Sequence, residues 1–317
     1  MINQDYLYTR KYNDANDFTL SPDSIYIYGY SPENRSHSVV DALKGKYPNI
    51  KYIEIQAVMD EKDVIQDTNT MKKYYLRNSK SIQSLFEIYN PSAVYFDTSG
   101  LNNRISASLL KNMVLLNEKK KLEIDVIYVE PHAYKTQQFK LEGVFNDLSE
   151  KIDGIEPLPG FANIVPNTDE MKFVALLGFE GGRFTHLIER IQPPSDNIIP
   201  VVGVPGFRIE YPFVALWGNR IPLEETKSWN NIKYVAANSA VDVFLLLKKI
   251  LNSMPENTKI TLAPIGTKPH AIGAILFAIK YPKRVEIVYD NPKRTIMRTD
   301  GTDLIVVCNI NSLLSEN

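Results

Sequence analysis

The chain has 317 residues, with 36 Lys and Arg against 37 Asp and Glu. That length suits two domains, and a net charge of -1 offers no global attraction for long nucleic acid. Hydrophobic residues at 44% and charged residues at 23% fit a folded chain, not a disordered one.

The first segment, Met1 to Asp23, is polar and aromatic and lacks the apolar core of a secretion signal. No stretch reaches the roughly 18 apolar residues of a membrane-crossing helix. A single cysteine, Cys308, excludes an intrachain disulfide and the usual thiolate zinc site. These readings predict a cytoplasmic protein with no membrane partner. Cys308 lies in an apolar run and reads as a core residue.

Ser24 to Tyr30 is β-branched and aromatic, with Gly29 near its end, and reads as the first strand. A polar loop to Ser36 follows, then a helix carrying Val39, Val40 and Leu43. Tyr52 to Val58 reads as a strand, Asp60 to Met71 as a loop or short helix, and Ser81 to Tyr89 as a helix. Ala93 to Asp97 is a strand running into Thr98, Ser99 and Gly100. A helix with Ile105, Leu109, Leu110 and Leu115 comes next, and Lys119 to Lys121 suit its C-terminus. Ile124 to Val129 is a strand ending at Glu130 and Pro131.

From about Lys135 to Asp169 the chain is rich in Gly, Pro and Asp, and Glu156 to Gly160 reads as a boundary. Alternation then restarts. Phe173 to Leu177 leads into Gly178 to Arg183 and a helix with Leu187, Ile188 and Ile191. Ile198 to Val204 and Tyr234 to Ala236 are strands, and Ser239 to Leu251 is a helix. Lys259 to Pro264 is a strand followed by Ile265, Gly266, Thr267, Lys268 and Pro269. A helix from about His270 to Ile279 and two strands, Val285 to Tyr289 and Leu304 to Cys308, complete the chain.

Alternating strands and helices predict an α/β fold with mainly parallel sheets in two Rossmann-like domains. The expected divisions are an arm over 1–22, a first domain over 23–140, a connecting segment over 141–169 and a second domain over 170–317. The halves also rhyme in order. Gly29 to Arg35 matches Gly178 to Arg183, Gly100 to Leu110 matches Gly266 to Leu276, and Val126 to Pro131 matches Ile287 to Pro292. This predicts an internal duplication, with each matched segment at a strand's carboxyl end, where open α/β sheets bind ligands.

The Gly266 loop is the foremost candidate site. Gly266 permits close approach or unusual dihedrals, Thr267 brings a hydroxyl, and Lys268 brings a mobile charge with three donors. The helix behind them offers free N–H groups. Together they suit a phosphate or carboxylate, although Gly as turn, Thr as N-cap and Lys as solvated charge accounts for the same residues. His270 adjoins the loop as an anion donor, an acid–base group or a plain helix histidine. Gly178, Glu180 and Arg183 form a partial dinucleotide fingerprint, for ligand contact or mutual pairing. Glu33 and Arg35 are their counterparts. Lys293 and Arg294, with Arg298, make a basic turn that could close over an anion. Ser99 lacks a nucleophile elbow and reads as an N-cap. Tyr211 and Trp217 suit base stacking or packing. The histidines show no metal spacing.

The run Ile260 to Pro269, its Ala- and Gly-rich helix and the strand Val285 to Tyr289 resemble the terminal strand–loop–helix of CARF domains, Rossmann-like sensors of cyclic oligoadenylates and related nucleotides in prokaryotic antiviral defence. The resemblance covers about a third of the second half. It implies Thr267 and Lys268 as ligand contacts, with Gly178 to Arg183 facing the same ligand. The chain departs from that family in carrying no recognisable effector and no Gly-Thr-Lys loop in its first half. A sensor of this kind acts through a partner protein or degrades its signal. Two other readings stand beside it: a two-domain enzyme on nucleotides or nucleotide sugars, GT-B-like by fold analogy alone, and an assembly subunit without ligand. The residues leave catalysis and cofactor undecided.

Overall fold

The computed structural model describes residues 8–134, 149–152, 154–162, 171–294 and 297–315. The chain forms two compact units, Met1–Lys135 with Ile296–Asn317, and Thr136–Thr295.

The first unit begins with β1 (Thr9–Tyr12), β2 (Ser24–Tyr28), α1 (Ser38–Lys46) and β3 (Lys51–Ala57). β4 (Val64–Asp67), β5 (Lys73–Tyr75), α2 (Ser79–Tyr89) and β6 (Ala93–Asp97) follow, then α3 (Asn103–Lys120), β7 (Glu123–Val129) and β8 (Ala133–Tyr134). Local signals set the helix limits. Asn78 accepts from Ser81 N and Asn102 from Ile105 N as N-caps, while Asn90 and Lys121 end α2 and α3 in the left-handed region. β7, β6, β2 and β3 pair in parallel, and β2 and β6 are buried along their whole length.

The second unit contributes β9 (Ser149–Ile152), β10 (Glu156–Pro157), β11 (Met171–Leu176) and α4 (Gly181–Ile191). β12 (Ile198–Gly203), α5 (Tyr211–Gly218), α6 (Arg220–Glu225), β13 (Lys233–Val235) and α7 (Ala240–Asn252) come next. β14 (Lys259–Pro264), α8 (Lys268–Lys280), β15 (Val285–Tyr289) and β16 (Pro292–Arg294) complete it. Its sheet has the order β10-β15-β14-β11-β12-β13, with only β10 antiparallel. The first parallel strand in chain order, β11, therefore lies at the centre. The order reverses between β11 and β14, the arrangement of a Rossmann-like half. α7 packs on α8 through Phe244 and Phe277, whose rings meet edge to face at 5.7 Å. Gly273 permits that approach, because a Cβ there would lie 2.4 Å from the Ala240 carbonyl oxygen.

The chain then returns to the first unit with β17 (Thr299–Asp300), β18 (Ile305–Asn309) and α9 (Ile310–Ser315). The first sheet has the order β1-β18-β7-β6-β2-β3-β4-β5. Its parallel core again reverses direction of growth beside the first strand, between β2 and β6. Both units are α/β with mainly parallel central strands, as the sequence predicts.

Four expectations are corrected. The last strand belongs to the first sheet, not to a second domain running to 317, and it lies antiparallel between β7 and β1. β7 is buried from Ile124 to Val129, so its second edge must be paired, and the apolar run Ile305 to Cys308 supplies the cover. The polar arm carries β1, which pairs with that same strand, and Arg10 forms an ion pair with Asp125. The segment Asp60 to Met71 holds β4, an antiparallel strand in the place of a third parallel one. Glu156 and Pro157, expected at a linker, form the edge strand β10, a position that tolerates proline. Among the described residues no helix is long and apolar enough to cross a membrane.

Candidate anion site at the carboxyl end of the second sheet

The loops after β11 and β14 leave neighbouring strands and touch through their backbones. A Cβ on Gly178 would lie 2.8 Å from the Ile265 carbonyl oxygen, and one on Gly266 would lie 2.6 Å from that of Leu177. Both positions require glycine because two main chains meet there. Of the two reasons offered by the sequence for Gly266, close approach holds; neither residue has positive φ.

This contact sets α8 at the reversal point. Thr267 is its N-cap: its Oγ1 accepts from His270 N at 3.3 Å and donates to the Ala237 carbonyl at 2.7 Å. Lys268 follows, half-buried in the first helical position, and Pro269 fits the first turn because it has no N–H to leave unsatisfied. His270 is fully buried, and its Nε2 donates to the Ala236 carbonyl oxygen at 3.0 Å. Burial lowers its pKa from 6.5 to about 4, against a smaller opposing effect of the Ala236 bond. Its Nδ1 has no hydrogen-bond partner. A neutral ring with the proton on Nε2 fits both facts. Thr267 and His270 thus tie the β14 loop to the β13 loop, and Ala237 N donates on to the Pro205 carbonyl after β12. His270 is a structural tie, inaccessible to a ligand as acid, base or cation.

Arg183 is also turned inward. Its Nε and Nη2 donate to the two carboxylate oxygens of Asp290 at 2.7 and 2.6 Å. Its Nη1 reaches the Ile265 carbonyl at 3.0 Å and Glu180 Oε2 at 3.5 Å, and the guanidinium lies 5.6 Å from the Tyr289 ring centre. Burial opposes its charge, but the bonds and charge of Asp290 outweigh burial and raise its pKa. Arg183, Glu180 and Asp290 are all buried. The expectation of Arg183 and Glu180 as ligand contacts gives way to mutual pairing, because this bidentate geometry occupies the guanidinium. Asp290 was not singled out in sequence, although it lies in the matched segment ending at Pro292. Asn219, which donates to the Gly178 carbonyl at 2.8 Å, left no sequence signal.

Lys293 is exposed on β16, opposite Lys151 of β9. The side chain of Arg294 lies outside the described residues. Arg298, grouped with them in sequence, belongs to the first unit and donates to Glu33 Oε1 at 3.2 Å.

The first unit repeats the frame with different chemistry. A Cβ on Gly100 would lie 1.7 Å from the Gly29 carbonyl oxygen. Arg35 is buried, bonded to Glu33 at 2.9 Å and to Tyr128 Oη at 3.1 Å, and lies 5.9 Å from the Tyr128 ring centre. Arg35 and Arg183, Glu33 and Glu180, and Tyr128 and Tyr289 therefore occupy matching places, as the rhyming segments predict. The loop itself differs. Leu101 closes over Gly29, and Asn102 caps α3. Ser99 is not the N-cap; its Oγ accepts from Val129 N at 2.9 Å and its N–H donates to Asp97.

No family model matches the chain, and no curated protein matches it. Among solved structures, a protein assigned as a universal stress protein, from Pseudomonas aeruginosa UCBPP-PA14, is similar at 10% identity and a TM-score of 0.24. The match covers 84% of this chain and 82% of that one.

Proposed function

We propose that the second unit binds a phosphate-bearing nucleotide beyond the carboxyl ends of β11 and β14, and that the protein senses this ligand without transforming it. The observation that carries the reading is the Gly178–Gly266 contact, which sets the N-terminus of α8 and half-buried Lys268 at the point where strand order reverses. Such a point collects ligands in open α/β sheets, and a helix N-terminus with a lysine favours an anion. The loop's resemblance to CARF domains supports a nucleotide over a simple carboxylate. It also favours a role in antiviral signalling with a partner protein.

Sensing is preferred to catalysis because the reactive side chains nearby are committed elsewhere. His270 is buried and neutral, Thr267 caps α8, and Arg183 is bidentate on Asp290. Denaturing the purified chain and analysing the supernatant by absorbance and mass spectrometry tests the reading. A released nucleotide that the refilled protein leaves intact is expected. Turnover of it would favour the enzyme, and a persistent lack of any nucleotide, added or retained, would favour the ligand-free subunit.

A further inference from the structure

α5 and α6, with the turn just before α5, present an apolar stripe that the second unit's own core does not use. Ile209 is 87% exposed, Phe213 69%, Trp217 50% and Ile221 50%. Ile209 lies in the turn before α5, and the four recur at every fourth position, so they follow one side of the turn and helix pair with a drift of about 40° per step. The opposite face, with Ala215, Gly218, Pro222 and Leu223, is buried. The two helices run almost continuously: Asn219 N donates to the Ala215 carbonyl and Leu223 N to that of Asn219, both at 3.1 Å. Single exposed apolar residues are ordinary, but an aligned row with Trp and Phe at its centre has the composition of an interface core.

We propose that this stripe is an isologous interface that pairs two copies of the chain. The argument is self-complementarity. If two such helix pairs meet antiparallel across a two-fold axis on the exposed side, level with position 215, Ile209 of one copy faces Ile221 of the other, and Phe213 faces Trp217. The same register sets exposed Glu210 opposite Arg220 of the second copy, twice. Arg220 already lies along the stripe, with its guanidinium 4.2 Å from the Trp217 ring centre. A two-fold interface needs a patch that is its own complement, and here both the apolar and the charged positions meet that condition. A parallel arrangement would oppose Glu210 to Glu210 and Arg220 to Arg220. From Phe213 to Ile221 the stripe spans about 12 Å at the α-helical rise. That is smaller than a standard stable interface, so a reversible dimer in the micromolar range is expected. The second copy is thus favoured over a foreign helix, because Glu210 and Arg220 of the stripe complete each other across the two-fold axis with no charge left for another partner to supply.

Sedimentation of the full chain over the micromolar range tests this, with a Trp229→Phe background that leaves Trp217 as the single tryptophan. A monomer–dimer equilibrium is expected, with Trp217→Glu weakening it at least tenfold. Glu210→Arg and Arg220→Glu should each weaken it, and the double exchange should restore most of the loss. These side chains are at the surface, and circular dichroism checks that each variant is folded. A chain monomeric throughout would overturn the proposal. In that case quenchable Trp217 fluorescence would leave the face to a different protein, and shielded fluorescence would mean that another part of the chain covers it. A dimer indifferent to Trp217→Glu, or a double exchange no better than the single ones, would overturn it as well.

Discussion

Glycine has separate roles at Gly266 and Gly182, although both follow a strand in the second unit. A methyl group on Gly266 meets two backbone oxygens, of Leu177 and Leu176, at 2.6 and 2.9 Å, whereas one on Gly182 meets nothing within 4 Å. Gly266→Ala should therefore destabilise the fold by about 1–3 kcal/mol through overpacking. Gly182→Ala, in the first turn of α4, should be neutral or stabilise by about 0.5 kcal/mol; urea unfolding of both variants checks the contrast. His270 makes a pH prediction. The folded ring stays neutral down to about pH 4, while the unfolded ring takes up a proton near its usual 6.5. Its contribution is full above about pH 6.5 and is lost as pH falls toward 4, roughly 3 kcal/mol in all. Protonation would add a donor at Nδ1, which has no partner in the folded chain. His270→Phe should flatten that part of the stability curve. The sequence made the Gly266 loop legible because a glycine, a capping hydroxyl and a lysine stood together after an apolar strand. It did not disclose the burial of His270, because α8 is apolar on nearly every side and its register against the Ala236 loop is tertiary.

At the level of elements, each unit is held by an arginine staple. Arg183 links the start of α4 to the end of β15 through Asp290, and to the β14 loop through the Ile265 carbonyl. Removing one partner leaves the other buried and charged, so Asp290→Ala should cost about 3–5 kcal/mol. Arg183→Met with Asp290→Leu should recover much of that, as thermal unfolding would show. Helix limits were only partly readable from local chemistry: Thr267 caps α8 as its place in the loop suggests, whereas α3 is capped by Asn102 and not by Ser99. The role of Arg183 was not, since glycine, acid and arginine at a strand-to-helix turn suit a ligand as well as a staple. Asp290, 107 residues away, decided between them. The antiparallel β4 was missed for a related reason: its charged surroundings hid a four-residue strand whose partners are in space, not in sequence.

Across the whole chain, two units share one frame and differ in what they place on it. The rhyme between the halves was visible as three ordered matches, and the matched arginines, acids and tyrosines make corresponding contacts. What sequence could not give was the return of the C-terminus, because an apolar strand does not state which sheet it completes. β18 lies between β1 and β7, so a chain ending at residue 295 should lose its first unit while 136–295 remains folded. Two unfolding transitions in the full chain, with the second unit's alone surviving truncation, would bear this out by calorimetry. The frame also explains the asymmetry. The first unit closes its reversal point with Leu101, and the second presents Lys268 at the start of α8. The most direct measurement is a calorimetric titration of the full chain and Lys268→Ala with a panel of linear and cyclic adenine nucleotides. Binding of at least one nucleotide, weakened tenfold or more in a folded Lys268→Ala chain, is the predicted result. Equal affinity in both proteins, or no binding across the panel, would contradict the account.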